Sequence, residues 1–102
     1  MMTTVTIKLE GTDLSSRKAA ANQYRKITKE ISCGNQVIID LSDVLSISHS
    51  YADELFGVFA EVYGITKIID DFQFHAANKH VLKSIASAIH ERNTLSDHAQ
   101  SA

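Results

Sequence analysis

The chain of 102 residues predicts a single α/β domain with a mixed or largely parallel sheet packed by helices. The first observation is an alternation of β-rich and helix-forming segments, which favours parallel strands joined by helices. The second is the composition, since 44% hydrophobic and 22% charged residues are ordinary values for a globular domain. The third is the absence of proline, which leaves glycines and capping residues to end the elements.

The N-terminal third predicts a strand followed by a helix. Residues 3–9 alternate apolar and polar side chains, which is typical of a strand buried on one face. In residues 14–32 the apolar positions recur every three or four residues, as on one face of a helix. Asp13 or Ser15 is the expected N-cap, and Gly34 is the expected left-handed residue after the helix.

The middle of the chain predicts a buried strand and a second helix. Residues 36–41, QVIIDL, form an apolar run typical of a central strand covered on both faces. Asp40 lies near the carboxyl end of this strand. After a loop over 42–49, Ser50 is the expected N-cap of a helix that ends at Gly64.

The last third predicts a third strand and a third helix. Residues 65–69 form the expected strand, and residues 72–77 either extend it or form a separate strand. Asn78 is expected to cap a helix that completes a folded domain over residues 1–92. Residues 93–102 are polar, and we expect them to form a disordered tail.

Charge and cysteine content exclude several classes of function. The net charge of −2 does not indicate the strongly basic surface that nucleic-acid-binding proteins carry. The single cysteine, Cys33, provides neither a disulfide framework nor a cysteine-built zinc site, and favours a reducing cytoplasm. No apolar run approaches the roughly 20 residues that span a bilayer, and no secretory signal pattern is present. We therefore expect a cytoplasmic protein without nucleic-acid or membrane partners.

Histidines and glycines are scattered along the chain. The five histidines lack the paired spacing of metal ligands. The four glycines stand alone, so they cannot form a phosphate-binding loop. We expect no metal and no cofactor.

The stretch over residues 40–57 is the most informative about function. In parallel sheets, sites gather at the carboxyl ends of strands and at the helix N-termini beside them. A phosphate on Ser48 or Ser50 would lie at such a helix start, where unpaired N–H groups attract anions. Asp53 and Glu54 would repel it, so one charge change is expected to switch a binding surface. The simpler alternative is that Ser50 is only a helix cap.

Other residues of this stretch have alternatives of their own. Tyr51 is either an exposed interface anchor or folds back on the helix as a hydrophobic staple. His49 and Asp53 are residue types that activate a serine hydroxyl for catalysis. Ser42 or Ser50 is then the candidate nucleophile, but no Gly-x-Ser-x-Gly turn accompanies either.

Two short motifs carry a family resemblance: residues 50–57, Ser-Tyr-Ala-Asp-Glu-Leu-Phe-Gly, and residues 16–20, Ser-Arg-Lys-Ala-Ala. The 40–57 stretch resembles the STAS domain of anti-sigma factor antagonists. The eight-residue motif is closer still to a STAS-like family of unknown function. The resemblance covers residues 3–90 and implies a STAS-like fold.

The resemblance also implies regulated binding of a protein, with no enzymatic activity. The usual partners of such antagonists include ATP-binding proteins of the histidine-kinase-like ATPase type. In the antagonists, a serine that follows an aspartate is phosphorylated, which ends binding to the partner kinase. In this chain Ser48 stands at the aspartate position, His49 at the phosphoserine position and Tyr51 at the glycine position, so the motif is not intact.

We therefore predict a regulatory, anti-sigma factor antagonist-like module that binds a protein through the loop and helix start 46–54, with phosphorylation as a regulator. The residues expected to bind the partner or act as the switch are Ser48, His49, Ser50, Tyr51, Asp53 and Glu54. The residues expected to support them are Asp40, Ser42 and, by resemblance alone, Arg17. A viral or mobile-element inhibitor of a host complex and a small Ser/His hydrolase are the alternatives, and a homodimer is left open.

Overall fold

The computed structural model describes residues 3–101, with side chains described as far as Asn93. The strands are β1 (Thr4–Lys8), β2 (Asp13–Leu14), β3 (Gln36–Asp40), β4 (Ser46–Ile47) and β5 (Phe72–His75). The helices are α1 (Arg17–Ser32), α2 (His49–Ala52), α3 (Val58–Tyr63), α4 (Ile65–Asp71) and α5 (Lys79–Ser101). A π-helical segment (Asp53–Gly57) joins α2 to α3, so the three form one continuous helical stretch.

The strands form a parallel sheet with the order β1–β3–β5. β2 and β4 form a separate parallel pair of two residues each. Parallel strands need crossover connections, and α1 and the α2–α4 stretch provide them. The predicted α/β class with a parallel sheet is confirmed.

In the part of the chain that the structure describes, the helices cover one face of this sheet and leave the other open. In β3, Val37 and Ile39 are fully buried, whereas Ile38 between them is half-buried. Ile38 lies in register with the exposed Thr6 of β1 and the exposed Gln73 of β5. Right-handed crossovers that step in the same direction along a sheet place their helices on the same side. The prediction that β3 is covered on both faces is therefore wrong, because an apolar run does not report which faces are covered.

The strand predicted over residues 65–69 is also wrong, because this segment forms α4. Ile68 is buried while Ile69 is 72% exposed, as on a helix that packs by one side. Gly64 has φ of 89°, which lets the chain turn directly from α3 into α4. Short apolar runs look alike in helices and strands, and β5 supplies the third strand instead.

The first helix begins later than the sequence pattern indicates. Ser16 is its N-cap, with its Oγ accepting a hydrogen bond from the N–H of Ala19 at 3.1 Å. Leu14 belongs to β2, where pairing with β4 holds it in an extended conformation. The expected cap at Asp13 or Ser15 is therefore wrong by one to three residues.

Three other predicted helix boundaries, at Gly34, Gly64 and Asn78, are confirmed. Gly34 has φ of 86° immediately after the end of α1, and Gly64 ends α3. The Oδ1 of Asn78 accepts a hydrogen bond from the N–H of Val81 at 2.9 Å, which caps α5. Local chemistry decided these ends, since glycine permits positive φ and asparagine is a preferred cap.

The last helix is assigned over Lys79–Ser101, beyond its expected end near residue 92. Side chains are not described after Asn93. The disordered tail expected over residues 93–102 falls almost wholly outside the described side chains and stays a prediction. None of the helices in residues 3–101 is long and apolar enough to cross a membrane.

The core lies between the covered face of the sheet and the helices. Phe59 of α3 lies with its ring centroid 4.6 Å from that of Phe72 in β5. Phe56 of the π-helical segment lies 5.5 Å from Phe74 in an edge-to-face arrangement. These aromatic contacts join the middle helical stretch to the edge strand β5.

Two adjacent isoleucines test the one-sided sheet. Ile39→Ala is expected to lower the free energy of unfolding by about 3 kcal/mol, because it leaves a cavity in the core. Ile38→Ala is expected to cost about 1 kcal/mol, because its side chain is only half-buried on the open face. Urea denaturation measures both. Equal losses for the two variants would contradict a sheet covered on one side.

Candidate functional site

Asp53 is the centre of an ion-pair network that joins α1, α3 and α5 to the π-helical segment. Arg92 of α5 donates two parallel hydrogen bonds to it, from Nε to Oδ1 at 2.8 Å and from Nη2 to Oδ2 at 2.9 Å. The Nη1 of Arg92 also donates to the Oε2 of Glu61 at 2.6 Å. Arg17 of α1 donates to the Oε2 of Glu54 at 3.1 Å and lies 4.0 Å from the Oδ2 of Asp53.

The Asp53–Arg92 pair is firmly ionised. The hydrogen bonds from Arg92 lower the pKa of the Asp53 carboxyl, although its partial burial opposes the shift. The same bonds raise the pKa of Arg92. The Asp53 side chain is only 14% exposed, so salt screens this pair less than a surface pair. Both carboxylate oxygens of Asp53 therefore accept hydrogen bonds from Arg92 of the same chain.

Gly57 allows α5 to approach this network closely. A Cβ at residue 57 would lie 2.8 Å from the Oδ1 of Asp53 and 2.9 Å from the Cγ of Arg92. It would also lie 3.2 Å from the backbone oxygen of Ala88, which cannot move independently of α5. Any larger residue here would therefore push α5 away from the π-helical segment.

The two sequence motifs that carry the family resemblance meet in this network. Ser16 caps α1, and Arg17 follows it and bonds to Glu54. Asp53, Glu54 and Gly57 are the polar and small residues of the other motif. The structure thus places Asp53 and Glu54 in internal ion pairs, and gives Arg17 a contact that local sequence patterns do not indicate. Their part in binding a partner stays a prediction.

The N-cap of α2 is Ser48, so the predicted cap at Ser50 is wrong. The Oγ of Ser48 accepts from the N–H of Tyr51 at 3.0 Å. The N–H of Ser48 donates to the backbone oxygen of Leu14 at 2.8 Å. Pairing of β4 with β2 therefore fixes where the helix starts, and the sequence pattern around the two serines does not report that pairing.

Tyr51 is buried, with 2% of its surface exposed, and belongs to the core. Burial raises the pKa of its hydroxyl. The interpretation of Tyr51 as an exposed interface anchor is therefore wrong. A hydrophobic staple needs its residue before the N-cap, and Tyr51 lies three residues after the N-cap Ser48, so Tyr51 is simply part of the core. A tyrosine in the first turn of a helix faces either solvent or core according to the packing around it, which is a tertiary property.

The exposed part of the predicted segment 46–54 is short. Ser46 and His49 are exposed, and Ser50 is half-buried. The Nε2 of His49 lies 3.3 Å from the Oε2 of Glu91 in α5. An open pocket of about 260 Å³ lies beside it, lined by His49, Lys83, Ser84 and Ser87.

The loop before β4 presents Leu45 to solvent. The N–H groups of Leu45 and Ser46 both donate to the backbone oxygen of Thr12, at 2.7 and 3.0 Å. The Nδ2 of Asn78 donates to the backbone oxygen of Leu45 at 3.1 Å. The loop backbone is therefore held from two sides while the Leu45 side chain is 67% exposed. Sequence reasoning missed this residue, because an isolated leucine in a loop carries no pattern.

Asp40 and Ser42 form a separate cluster at the carboxyl end of β3. The N–H of Ser42 donates to the Oδ1 of Asp40 at 2.9 Å, and this bond lowers the pKa of the Asp40 carboxyl. Lys8 and His75 flank Asp40 in register on the neighbouring strands. Among the hydrogen bonds and ion pairs of the described residues, none links this cluster to the Asp53 network.

The proposed catalytic triad is not hydrogen-bonded in the structure. Asp53 bonds to Arg92, and the Nε2 of His49 faces Glu91 instead. Within the described part of the chain, no side-chain hydrogen bond joins His49 to Ser50, Ser42 or Asp53. The backbone N–H of Asp53 donates to the backbone oxygens of His49 and Ser50, as part of the helical stretch. The same residues contain no group of three His, Cys, Asp or Glu side chains arranged to hold a metal ion.

A comparison with family models finds a match over residues 20–82, to the STAS-like domain of unknown function DUF4325. The chain belongs to this STAS-like family. The matched span runs from α1 into α5 and includes the 50–57 motif at the Asp53 network. The suspected STAS-like resemblance is thereby confirmed. No curated protein and no solved structure matches the chain.

The two serines at the start of α2 are expected to behave differently. Ser48→Ala removes the capping acceptor and is expected to lower the free energy of unfolding by about 1 kcal/mol. Ser50→Ala removes no cap and is expected to change it by less than about 0.5 kcal/mol. Thermal and urea denaturation of the two variants measure this. A larger loss for Ser50→Ala would reverse the assignment of the cap.

Asp53→Asn tests the central ion pair. It is expected to lower the free energy of unfolding by about 2 kcal/mol at pH 7, because Arg92 loses its charged acceptor. Since folding lowers the pKa of Asp53, its contribution is complete at neutral pH and is lost as the pH falls through that lowered pKa. The difference between wild type and variant should therefore shrink below about pH 4.

The measurement is urea denaturation of both proteins at neutral and acidic pH. Asp70→Asn, at an exposed position in α4, is the matched control and is expected to have little effect. A difference between wild type and Asp53→Asn that stays constant down to about pH 2 would contradict the role of the ionised carboxylate.

Proposed function

We propose that this domain is a regulatory protein-interaction module without catalytic activity of its own. It binds a protein partner through the exposed part of the segment 46–54, the loop before it and the exposed Leu82 of α5. We define this docking surface by five residues: Leu45, Ser46, His49, Ser50 and Leu82.

The exposed Leu45 in its fixed loop is the observation that carries the proposal. Its backbone is already ordered by hydrogen bonds from both sides, so a partner would not have to order the loop on binding. Leu82 is 41% exposed in α5, one turn after Asn78, the residue that contacts the Leu45 carbonyl. Two apolar side chains therefore stand at the same end of the molecule, which supports a small contact with another protein.

Polar groups surround these leucines. His49 and Ser46 are exposed, and the pocket beside His49 offers the ammonium of Lys83 and two serine hydroxyls. Interfaces commonly combine an apolar centre with a polar rim. The mixture of donors and acceptors supports a partner surface that carries acidic and polar side chains.

The contacts of the Asp53 and His49 side chains support a non-enzymatic role. The Asp53 carboxylate is engaged by Arg92, and His49 is paired with Glu91 on the surface. A general base needs a nucleophile within hydrogen-bond reach, and among the described residues His49 makes no such contact. A binding role requires no such arrangement.

The resemblance of residues 40–57 to the STAS domain of anti-sigma factor antagonists supports the class of partner and its regulation. The STAS domains of anti-sigma factor antagonists bind ATP-binding proteins of the histidine-kinase-like ATPase type, and we propose a partner of this class. We also propose that phosphorylation of Ser50 ends binding. Ser50 is half-buried within the docking surface and does not cap the helix, so its hydroxyl is not required for the fold.

A quantitative pull-down from the lysate of the source cells tests the proposal, with bound proteins measured by mass spectrometry. Leu45→Ser and Ser50→Glu baits are each expected to retain at least about fivefold less of a specific partner than wild type, as for loss of about 1 kcal/mol. An acidic residue in the first turn of α2 suits the helix dipole, so Ser50→Glu is expected to keep the fold.

Lys26→Glu is the control bait, because Lys26 is an exposed residue of α1 outside the docking surface. This bait should retain the partner. Circular dichroism and thermal melting establish that all baits are folded. If a partner is held equally by every bait, the docking surface is wrong. If Leu45→Ser releases it while Ser50→Glu does not, binding is constitutive and the phosphorylation switch is wrong.

A further inference from the structure

β1 is an edge strand with free hydrogen-bonding groups. Within the described residues it pairs with β3 alone. The backbone oxygen of Thr3 accepts from the N–H of Gln36 at 2.8 Å, and the N–H of Leu9 donates to the oxygen of Asp40 at 3.0 Å. The odd-numbered residues therefore direct their backbone groups to β3. Since these groups alternate along a strand, those of the even-numbered residues in β1 point away from the sheet.

The sequence of β1, Thr-Val-Thr-Ile-Lys, offers little protection of this edge. Proteins commonly protect edge strands with proline, bulges or several charged side chains. β1 pairs with β3 in unbroken register from Thr4 to Lys8, and Lys8 at its end is its one charged residue. Four of its five residues are β-branched, which favours strand pairing.

We propose that two copies of the chain pair antiparallel through β1, about a two-fold axis that passes beside Thr6. The sheets then join into one sheet with the strand order β5–β3–β1–β1–β3–β5. Such an axis is perpendicular to the sheet, so the helices of both copies lie on the same side. The inference does not rest on the proposed function, because none of the docking-surface residues lies in β1.

The register about Thr6 makes β1 complementary to itself. Thr6 stands opposite Thr6 of the second copy, and Thr4 stands opposite Lys8, so no two like charges meet. The outward backbone groups of these residues can then exchange about six hydrogen bonds. Cross-strand threonine pairs are favourable in antiparallel sheets.

The apolar face of the strand also gains from this pairing. Val5 and Ile7 are half-buried in the single chain and point to the helix side of the sheet. In the proposed register Val5 stands opposite Ile7 of the second copy. Both side chains would be covered further, and the two cores would become continuous along the joined sheet.

Light scattering coupled to size exclusion and analytical ultracentrifugation test the pairing. Wild type is expected at twice the chain mass of 11.2 kDa. Thr6→Lys places two ammonium groups opposite each other at the axis and is expected to raise the dimer dissociation constant at least about fivefold. Thr6 is exposed on the open face, so the fold is expected to persist, as circular dichroism will report.

Gln73→Lys is the matched control, because Gln73 lies in the same row across the sheet but on the opposite edge strand. It is expected to remain dimeric. A mixture of Thr6→Lys and Thr6→Glu chains is expected to recover the dimer, since unlike charges then meet at the axis. Recovery of the dimer in this mixture would show that each variant chain is folded, even if one variant alone has a lower free energy of unfolding.

A wild type that stays monomeric at about 100 µM would overturn the pairing, because a specific interface of useful strength would be populated there. A dimer whose dissociation constant is the same in Thr6→Lys as in wild type would also overturn the pairing. A third outcome would also overturn the self-association. If the chain is monomeric and binds a different protein through β1, and Thr6→Lys abolishes that binding, this edge belongs to another partner.

Discussion

The bidentate pair between Asp53 and Arg92 is the interaction on which the arrangement of the helices depends. Arg92 lies in the last helix, after the sheet is complete, and its guanidinium reaches back to the π-helical segment and to Glu61. Gly57 provides the space for that approach. The pocket beside His49 lies between the start of α2 and α5, where His49 also lies close to Glu91. A charged pair that is partly shielded from water and satisfied by several hydrogen bonds fixes orientation as well as distance.

The same pair explains why the family motif is informative about the fold and less so about function. Within that motif, Asp53 and Glu54 bind arginines of α5 and α1, and Gly57 admits α5. These residues are engaged inside the domain. Of the side chains proposed to meet a partner, Leu45 and His49 lie outside the motif, and Ser50 is its first residue. Members of a family can therefore share the scaffold while their exposed neighbours select different partners.

The one-sided sheet separates two surfaces that can act independently. Among the described residues, both crossovers place their helices on one face of the sheet and β1 pairs with β3 alone, so the opposite face and the β1 edge are open. The proposed docking surface lies instead at the loop before β4, the start of α2 and Leu82 of α5. Pairing through β1 would present two copies of the docking surface on one assembly. Two linked sites raise the apparent affinity for a multivalent partner, because the second contact becomes intramolecular.

The amino-acid sequence by itself determined the features that depend on local chemistry. The strands β1 and β3, the body of α1, the turn at Gly34 and the cap at Asn78 follow from periodicity, positive φ and capping preference, which act over a few residues. Only the tertiary structure decided the helical state of α4, the open face of the sheet, the cap at Ser48 and the partner of Asp53. Pairing of β4 with β2 selects Ser48, and Arg92 meets Asp53 from 39 residues away. Such contacts arise only after the chain has folded back on itself, so no local pattern reports them.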